Sequence, residues 1–377
     1  MKIVVFGLTI SCSLGNCHAT LWRGLCKALA RHGHRTVFFE RDVPYFASAR
    51  DWQPAPECEL VLYDSWREIT GRAQRAIADA DVAIVTSSCP DALRAGEIIR
   101  GAYRPLSVFY DLDTPATLAH LRLEQPVPYV GPEGLRGYDL VLSNTGGPAL
   151  EELRCSLGAR HVRALHAHVD PDIHHPVAPV ERYAADLSWL GNYMADRHAA
   201  LDELFARPAR QRPKQHFLLG GAQYPADVAW PANVQCAPHV PPEERPAFLS
   251  SSRLTLSITR NSVAQMGWCP TRRLFEAAAC GTPVICDEWS GLDEFYTPGS
   301  EILLARDADD VLAALDLDTA TLKRIGQAAR ERTLDEHTSE HRALALIELI
   351  EEARSPRLVP PPLQRPNSGA NSMSFSC

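Results

Sequence analysis

The stretch LTLSITRNSVAQMGWCPTRRLFEAAACGTPVICDEWSGLDEF, residues 254–295, decides the fold of this chain. Residues 254–258 alternate as a short buried strand does, and residues 284–286 form a second apolar run. Between them Pro270 suits the first position of a helix, because its missing N–H would be unpaired there. The Gly-Thr-Pro at 281–283 ends that helix. A strand–helix–strand unit of this kind predicts a parallel sheet.

The helix of this unit carries its charges on one face. Arg272 and Glu276 lie one turn apart, and Arg273 precedes Glu276 by three residues. Two arginines beside the positive end of a helix dipole are unfavourable unless an anion joins them, and a phosphate would supply that anion. Glu276 would then accept hydrogen bonds from ribose hydroxyls. The alternative is an ion pair of Glu276 with either arginine on a solvated surface, worth ~0.2–0.5 kcal/mol.

The two arginines are expected to differ in role, since successive helix residues point ~100° apart. Arg272 lies nearer the helix end, where the dipole field is strongest. We therefore expect Arg272 to meet a phosphate and Arg273 to lie on the flank, so that Arg272→Ala lowers turnover more than Arg273→Ala does.

The string LFEAAACGTPVI, followed by GLDEFYTPGSEILLA, resembles the donor-binding core of GT-B glycosyltransferases, most closely the CgeB-like group. The resemblance implies that Glu276 holds the ribose of a nucleotide sugar. Many retaining members also carry a glutamate eight residues earlier, which contacts the donor sugar, and this chain has Trp268 there. This departure leaves the donor sugar and the choice between retention and inversion open.

The resemblance also implies a set of groups around the donor. Glycines would let it approach the backbone, backbone groups would hold the base, and arginines with the helix N-terminus would stabilise the departing diphosphate without a metal. The donor-site residues implied in addition to Glu276 are Gly191, Arg197, His239, Val240, Arg260, Thr271, Gly291, Leu292, Asp293 and Glu294.

The first half of the chain alternates strands and helices, which predicts one doubly wound domain of six or seven strands. Its first loop lacks the G-x-G-x-x-G fingerprint, so NAD is not favoured. The resemblance puts His18, in that loop, on the acceptor side, where a neutral imidazole suits a general base. An exposed or turn-capping His18 is the equal alternative, because 14 histidines dilute any single one.

Asp111 and Asp113, in YDLDTPATL, follow a predicted strand, and open α/β sheets bind ligands at strand ends. Spaced aspartates can hold a divalent metal, as in the GT-A fold, but the string D-x-D-T-P is also similar to CgeB-like sequences. A third interpretation is an Asx turn in which Asp113 caps Thr114-Pro115. We take His18, Asp113 and Arg272 as the candidate catalytic residues and expect no metal ligands.

Composition and resemblance together divide the chain into five parts. The polar, proline-bearing stretch after residue 170 reads as a linker in which the pair His174-His175 is solvated. The predicted parts are an acceptor domain (1–170), a linker (171–185), a donor domain (186–340), a helix crossing back onto the first domain (341–356) and a disordered Pro/Ser-rich tail (357–377).

Composition excludes several classes of protein. The 377 residues suffice for two domains, and a net charge of -8 argues against a nucleic-acid backbone as the main partner. No apolar run approaches the ~20 residues of a membrane span, and the N-terminus lacks a signal-peptide pattern. The 11 cysteines form no C-x-x-C pair, which indicates reduced thiols in a cytoplasmic protein and disfavours a zinc site.

The sequence therefore predicts a GT-B glycosyltransferase, in which two Rossmann-like domains face each other across a cleft. It would move a sugar from a nucleotide diphosphate donor to an unknown acceptor, with neither a cofactor nor a metal. The alternatives are a non-catalytic nucleotide-sugar-binding protein, which the missing glutamate would allow, and a GT-B epimerase or phosphorylase. Against a phosphorylase, no lysine for pyridoxal phosphate lies near residues 254–295. The base, the sugar and the oligomeric state stay open.

Overall fold

The structure is a computed structural model that describes residues 1–16, 18–53, 55–226 and 228–355. It contains two parallel sheets, one in each half of the chain. The tail predicted for residues 357–377 lies outside the described residues.

The first sheet has seven strands, all parallel, as the apolar runs of the first half predict. Its inner strands are buried on both faces, which is typical of a sheet covered by helices on each side. The strands are β1 (Lys2–Gly7), β2 (Arg35–Arg41), β3 (Cys58–Tyr63), β4 (Val82–Thr86), β5 (Leu106–Asp111), β6 (Leu140–Ser143) and β7 (Val162–Ala164). Their order is β3-β2-β1-β4-β5-β6-β7.

Six helices connect these strands, and two apolar cores lie between them and the sheet. They are α1 (His18–Arg31), α2 (Pro44–Ala47), α3 (Trp66–Ala78), α4 (Ala92–Gly101), α5 (Thr114–Arg122) and α6 (Pro148–Leu157).

The second sheet has six parallel strands in the order β10-β9-β8-β11-β12-β13, and residues 254–295 form its centre. Thr255 of β11 pairs with Val284 of β12, and the helix between them packs on the sheet through Leu274, Phe275 and Ala278. The strands are β8 (Ala185–Leu190), β9 (Phe217–Gly220), β10 (Val234–Ala237), β11 (Ser252–Ser257), β12 (Val284–Cys286) and β13 (Leu303–Leu304).

Helix α11, which lies between β11 and β12, begins at Arg272. The sequence suggested a start at Pro270, but Thr271 still has extended backbone angles. The helices of this half are α7 (His198–Leu201), α8 (Arg207–Gln211), α9 (Arg245–Ser250), α10 (Asn261–Met266), α11 (Arg272–Ala279), α12 (Ala308–Leu315), α13 (Thr319–Glu336) and α14 (Ser339–Arg354). A π-helical turn, Asp202–Ala206, separates α7 from α8.

The chain crosses between the domains twice, and the two crossings run side by side. The Val169 N–H donates to the His337 carbonyl over 3.1 Å, and the Ser339 N–H donates to the Val169 carbonyl over 2.8 Å. Helix α14 then returns to the first domain, where Ala343 and Leu346 join the core that α1 covers.

The carboxyl ends of the two sheets meet at a cleft. Helix α10, which follows β11, packs against α5, which follows β5. The Gly146 N–H, beyond the end of β6, donates to the Trp268 carbonyl over 2.9 Å. Loops at the ends of strands, where open α/β sheets bind ligands, therefore face each other from the two domains.

Candidate functional site

Four arginines of the second domain lie together around the start of α11, and three of them, Arg245, Arg272 and Arg273, face Glu276. Arg272 and Arg273 come from the first turn of α11, Arg197 follows β8, and Arg245 begins α9. Burial lowers the pKa of Arg273 to about 10; Glu276 opposes this, and the three other arginines add to it. These arginines are called the arginine cluster below.

Glu276 lies behind the cluster with only 1% of its surface exposed. Arg272 Nη1 donates to Glu276 Oε1 over 2.6 Å. Burial alone would raise the pKa of Glu276, but Arg272, His174, Arg245 and Arg273 together lower it to about 2. The expected pair of Glu276 with Arg272 is therefore present, but it does not lie on a solvated surface, because other parts of the domain cover this face of α11.

The arginine cluster holds more positive charge than the protein neutralises. Glu276 is the carboxylate that faces all of Arg245, Arg272 and Arg273, and Asp196 and Asp287 lie near Arg197, so the cluster as a whole keeps a net positive charge. Arg197 Nε and Arg272 Nε are buried without a hydrogen-bond partner among the described residues. Buried cations require partners, so this arrangement is suited to an anion with several acceptor oxygens.

The helical spacing suggested that Arg273 lies on a flank away from the site. The structure shows that it does not. Its Nη1 donates to the Leu190 carbonyl at the end of β8, and it would lie 2.8 Å from a Cβ added at Gly191. The end of β8 packs against this side of α11, so both arginines enter one cluster although they point in different directions. Sequence spacing could not show which element covers the second direction.

An aromatic platform supports Arg197 beside Gly191. The guanidinium lies over the Trp189 ring, 5.4 Å from its centroid, and Arg197 Nη2 donates to the Asn192 carbonyl over 3.0 Å. Trp189 Nε1 donates to the Tyr224 hydroxyl over 2.9 Å, which in turn donates to the Gly191 carbonyl over 2.6 Å. These contacts hold Arg197 at the end of β8, within the arginine cluster.

Four further residues that the resemblance implied as donor ligands differ in their exposure and contacts. They are Arg260, Thr271, His239 and Val240. Arg260 is exposed, and its Nε donates to Asp196 Oδ2 over 3.1 Å. Thr271 is the residue before α11 and makes no capping hydrogen bond with its side chain. His239 is exposed, whereas the Val240 side chain is buried in the apolar core, so at most its backbone can face a ligand.

Trp268, eight residues before Glu276, joins the two domains. Its ring lies between Gly147 and Gly291, one from each domain, and a Cβ added at either glycine would clash with it. Trp268 Nε1 donates to Glu294 Oε1 over 2.6 Å. Gly291 and Glu294, implied as donor ligands, thus contact Trp268 here.

Replacing Gly291 with alanine is expected to destabilise the protein more than the same change at Gly299. Both glycines have left-handed backbone, with φ of 82° and 80°, so each alanine costs about 1–2 kcal/mol in strain. Only at Gly291 must the Trp268 ring also move, since a Cβ at Gly299 meets nothing within 4 Å. Equal shifts in the thermal unfolding midpoint of the two variants would show that the ring contact contributes little.

A cavity of about 1080 Å³ lies along the ends of β12 and β13. It brings together Gly291, Leu292 and Asp293, with Asp287 and Arg306 on other walls, but no member of the arginine cluster lines it. The concentrated positive charge therefore lies in the arginine cluster and not in this cavity.

In the first domain, His18 and Asp113 form a pair that faces the cleft, in which the His18 side chain is buried and the Asp113 side chain is 28% exposed. His18 Nε2 lies 3.3 Å from both Asp113 oxygens. Asp113 also accepts from Ser87 Oγ over 3.0 Å and from Ser88 Oγ over 2.6 Å. With Nε2–H donating to the carboxylate, the tautomer that this network favours leaves the lone pair on Nδ1. That nitrogen is buried and has no hydrogen-bond partner among the described residues.

Asp113 does not cap α5 with its side chain. The Asx-turn interpretation is therefore wrong, because His18, Ser87 and Ser88 take the carboxylate. Burial would raise the pKa of Asp113, but these three side chains lower it to about 2. Burial and the neighbouring Asp113 raise the pKa of Asp111 to about 7. The two carboxyls thus separate into a charged group and one that is neutral in mild acid.

Among the described residues, no group of three or more His, Cys, Asp or Glu side chains is arranged to hold a metal ion. Within the same part of the chain, none of the helices has the length and apolar character of a membrane span.

Two residues of the site were not predicted from the sequence. Arg245 follows a proline-rich loop with no distinguishing pattern and enters the cluster only through the fold. His174 was expected to be solvated in the linker, but it is 7% exposed and its Nε2 lies 3.5 Å from Glu276 Oε1. The linker folds over the outer face of α11, which composition could not show.

Comparison with known proteins adds to this geometry. Residues 197–348, which include α7 to α13 and most of α14, match a family model described as glycosyl transferase-like. A search with the sequence among curated proteins finds no significant match.

Several solved structures have the same fold over 93% of this chain. Sucrose-phosphate synthase from Thermosynechococcus elongatus matches over 98% of its length, at 16% identity and a TM-score of 0.65. Anabaena HepE in complex with UDP and glucose matches over 100%, at 14% identity and a TM-score of 0.66. An alpha-glucosyltransferase in complex with UDP matches over 100%, also at 14% identity and 0.66. The predicted GT-B fold is confirmed.

Proposed function

We propose that this chain transfers a glycosyl group from a nucleoside diphosphate sugar to an acceptor hydroxyl, without a metal. The observation that carries the proposal is the arginine cluster at the end of β8 and the start of α11, opposite the His18–Asp113 pair. An anion site and a base on two sides of one cleft are the two parts that such a transfer requires.

The charge of the cluster suits the leaving group better than the bound donor. The diphosphate of a nucleotide sugar carries about two negative charges and a released nucleoside diphosphate about three near pH 7, because a terminal phosphate loses its second proton with a pKa of about 6. A cluster with a net positive charge therefore favours the state in which the glycosidic bond has broken, because the leaving group carries the larger negative charge. Interactions that strengthen as charge develops lower the barrier more than they tighten substrate binding.

The base on the acceptor side is His18. The His18–Asp113 pair, which reaches the cleft through the partly exposed Asp113 side chain, takes the proton of the acceptor hydroxyl as that oxygen bonds to the anomeric carbon, and the electrons of the breaking C–O bond go to the diphosphate. Asp113 holds the ring in the required tautomer and stabilises the imidazolium that forms, as a carboxylate does in other His–Asp pairs. Direct displacement of this kind inverts the anomeric centre.

The sugar has polar space beside the cluster. Asp287, on the wall of the 1080 Å³ cavity, lies close enough to Arg197 to raise its pKa against the dominant effect of burial. Carboxylates on the cavity walls, such as Asp287 and Asp293, suit hydrogen bonds from sugar hydroxyls. Transfer of a hexosyl group fits a cavity of this size.

The proposal also includes membership of the CgeB-like group and a cytoplasmic location. Similarity of residues 274–285 to the CgeB-like group supports membership of it. A cytoplasmic location is supported by the cysteines that the structure describes, since those form no disulfide. The acceptor stays open, and the net charge of -8 keeps nucleic acid outside the proposal.

Calorimetry with UDP, GDP and ADP tests the donor site, beginning with UDP because two of the matched structures contain it. We expect one nucleoside diphosphate to bind, and Glu276→Ala to weaken its binding by about tenfold or more through lost hydrogen bonds to ribose. The fold should persist, which circular dichroism checks. Unchanged affinity in the variant would remove the ribose role of Glu276.

Release of nucleotide separates an enzyme from a binding protein. With the matching nucleotide sugar and a panel of hydroxyl acceptors, the protein should release nucleoside diphosphate in EDTA as fast as without it. Binding without release under any acceptor would favour the non-catalytic alternative. Loss of activity in EDTA that manganese restores would instead make Asp111 and Asp113 metal ligands.

A further inference from the structure

His174 occupies an unusual place for a linker residue. It is 7% exposed and lies against α11, while the adjacent His175 is exposed. Both ring nitrogens of His174 are buried without a hydrogen-bond partner among the described residues. Its Nε2 faces Glu276 Oε1 at 3.5 Å, just beyond hydrogen-bonding distance.

The surroundings favour a neutral imidazole at this position. Burial lowers the pKa of His174; Glu276 and Asp170 oppose this effect, while Arg272 and Arg245 add to it. A neutral ring has one N–H donor and one acceptor nitrogen. It can therefore donate to a carboxylate without adding a charge to a cluster that is already cationic.

Arg272 cannot serve Glu276 and a diphosphate equally well. Its Nη1 is bound to Glu276 Oε1 at 2.6 Å, while its Nε has no partner. If the guanidinium turns to a diphosphate, Glu276 loses its direct partner at a position with 1% exposure. A buried carboxylate left without a hydrogen bond is strongly unfavourable. The same movement uncovers Glu276 toward the place where the nucleotide lies.

We propose that His174 is a positioning residue of the donor site, which donates its ring N–H to Glu276 Oε1 when Arg272 turns to the diphosphate. This inference rests on the proposed function and deepens it. The exchange keeps Glu276 oriented, so that its other oxygen accepts from the ribose hydroxyls.

The exchange also connects donor binding to the linker. Four residues before His174, Asp170 accepts from Lys27 Nζ of the first domain over 2.9 Å, and Asp172 lies 2.7 Å from the same atom. Movement of His174 toward α11 therefore pulls on a segment that is anchored to α1. The hydrogen bond that His174 would donate to Glu276 therefore links the ribose contact to the segment between the domains.

The test compares His174→Phe with His174→Gln, and His175→Phe serves as the matched control on the exposed neighbour. Phenylalanine keeps the ring packing and removes both nitrogens, whereas glutamine keeps an N–H donor. The probes are inorganic pyrophosphate, whichever of UDP, GDP and ADP binds most tightly to wild type, and the 2′,3′-dideoxy form of that nucleotide, all measured by calorimetry.

We expect His174→Phe to weaken nucleotide binding by about tenfold or more, the effect of losing a hydrogen bond to a charged group. Pyrophosphate affinity should fall less, because pyrophosphate also draws Arg272 from Glu276 but has no ribose, and the advantage of the nucleotide over its dideoxy form should largely disappear, because ribose recognition depends on Glu276. His174→Gln should recover most of the affinity, and His175→Phe should match wild type. In a Glu276→Gln background, His174→Phe should have little further effect.

Nucleotide affinity that His174→Phe leaves unchanged would overturn the inference while the proposed function stands. Equal weakening of the nucleotide and its dideoxy form would overturn it as well, since that pattern shows no part of His174 in ribose recognition. If wild type binds none of the three nucleotides, the proposed function fails and the inference fails with it.

Discussion

Replacing His18 with glutamine is expected to lower kcat by about 100- to 10,000-fold, the usual contribution of a general base. Glutamine fills similar space and can still donate to Asp113, but it cannot take a proton from the acceptor. The Kd for the nucleoside diphosphate should stay within about twofold, because the arginine cluster lies in the other domain. Rates of nucleotide release with a saturating acceptor, together with calorimetry, measure both quantities.

Asp113→Asn and Asp111→Asn form a matched pair of controls for this assignment. Asparagine at Asp113 removes the charge that orients His18, so kcat should fall by a large factor, as it does when such a carboxylate is lost elsewhere. Asparagine at Asp111 is expected to have a small effect, because burial raises the pKa of this carboxyl to about 7 and Oδ1 can still accept from the Asp113 N–H. A kcat for His18→Gln within about threefold of wild type would remove His18 from catalysis.

Replacing Arg273 with alanine is expected to lower kcat by about 100- to 1000-fold, or ~2.7–4 kcal/mol of transition-state stabilisation. The guanidinium is fixed at the Leu190 carbonyl beside Gly191, within the arginine cluster that would stabilise the developing negative charge of the diphosphate. Arg272→Ala should lose a comparable amount, contrary to the sequence-based expectation that Arg272→Ala lowers turnover more than Arg273→Ala does. Lysine at position 273 should recover part of the loss, because it supplies charge without the planar fork.

Arg253 offers a matched control for Arg273. It too donates to backbone carbonyls, those of Leu315 and Leu317. However, it lies near the start of β11, at the end of the strand that is away from the cleft. Arg253→Ala should lower the thermal midpoint without a comparable fall in kcat. Equal effects on kcat from Arg253→Ala and Arg273→Ala would indicate damage to the fold and not to the site.

The candidate site was predicted unevenly from the sequence. Asp113, Arg272 and Glu276 were named from a strand end and one helix turn, His18 and Arg197 from the resemblance to GT-B glycosyltransferases, and the structure brings them to the cleft. The charge state around Glu276 was not predictable in the same way. Its environment comes from Arg245, about 30 residues earlier, and from His174 in the linker. No local pattern joins segments that far apart.

The sequence by itself determined the class of fold and its order. Apolar runs of strand length, helices between them and a glycine-proline stop after α11 are local features, and local sterics and burial fix them without reference to distant residues. Those features placed Glu276 on a helix between two parallel strands, as observed.

Only the tertiary structure decided which side chains share a charge environment. It placed Arg273 inside the cluster, covered Glu276, buried His174 and seated Trp268 between Gly147 and Gly291. Each of these outcomes depends on which distant element packs against a given face of α11 or its preceding loop. Coulomb interactions and desolvation follow distances in space, so residues far apart in the chain fix them only once the domains have folded.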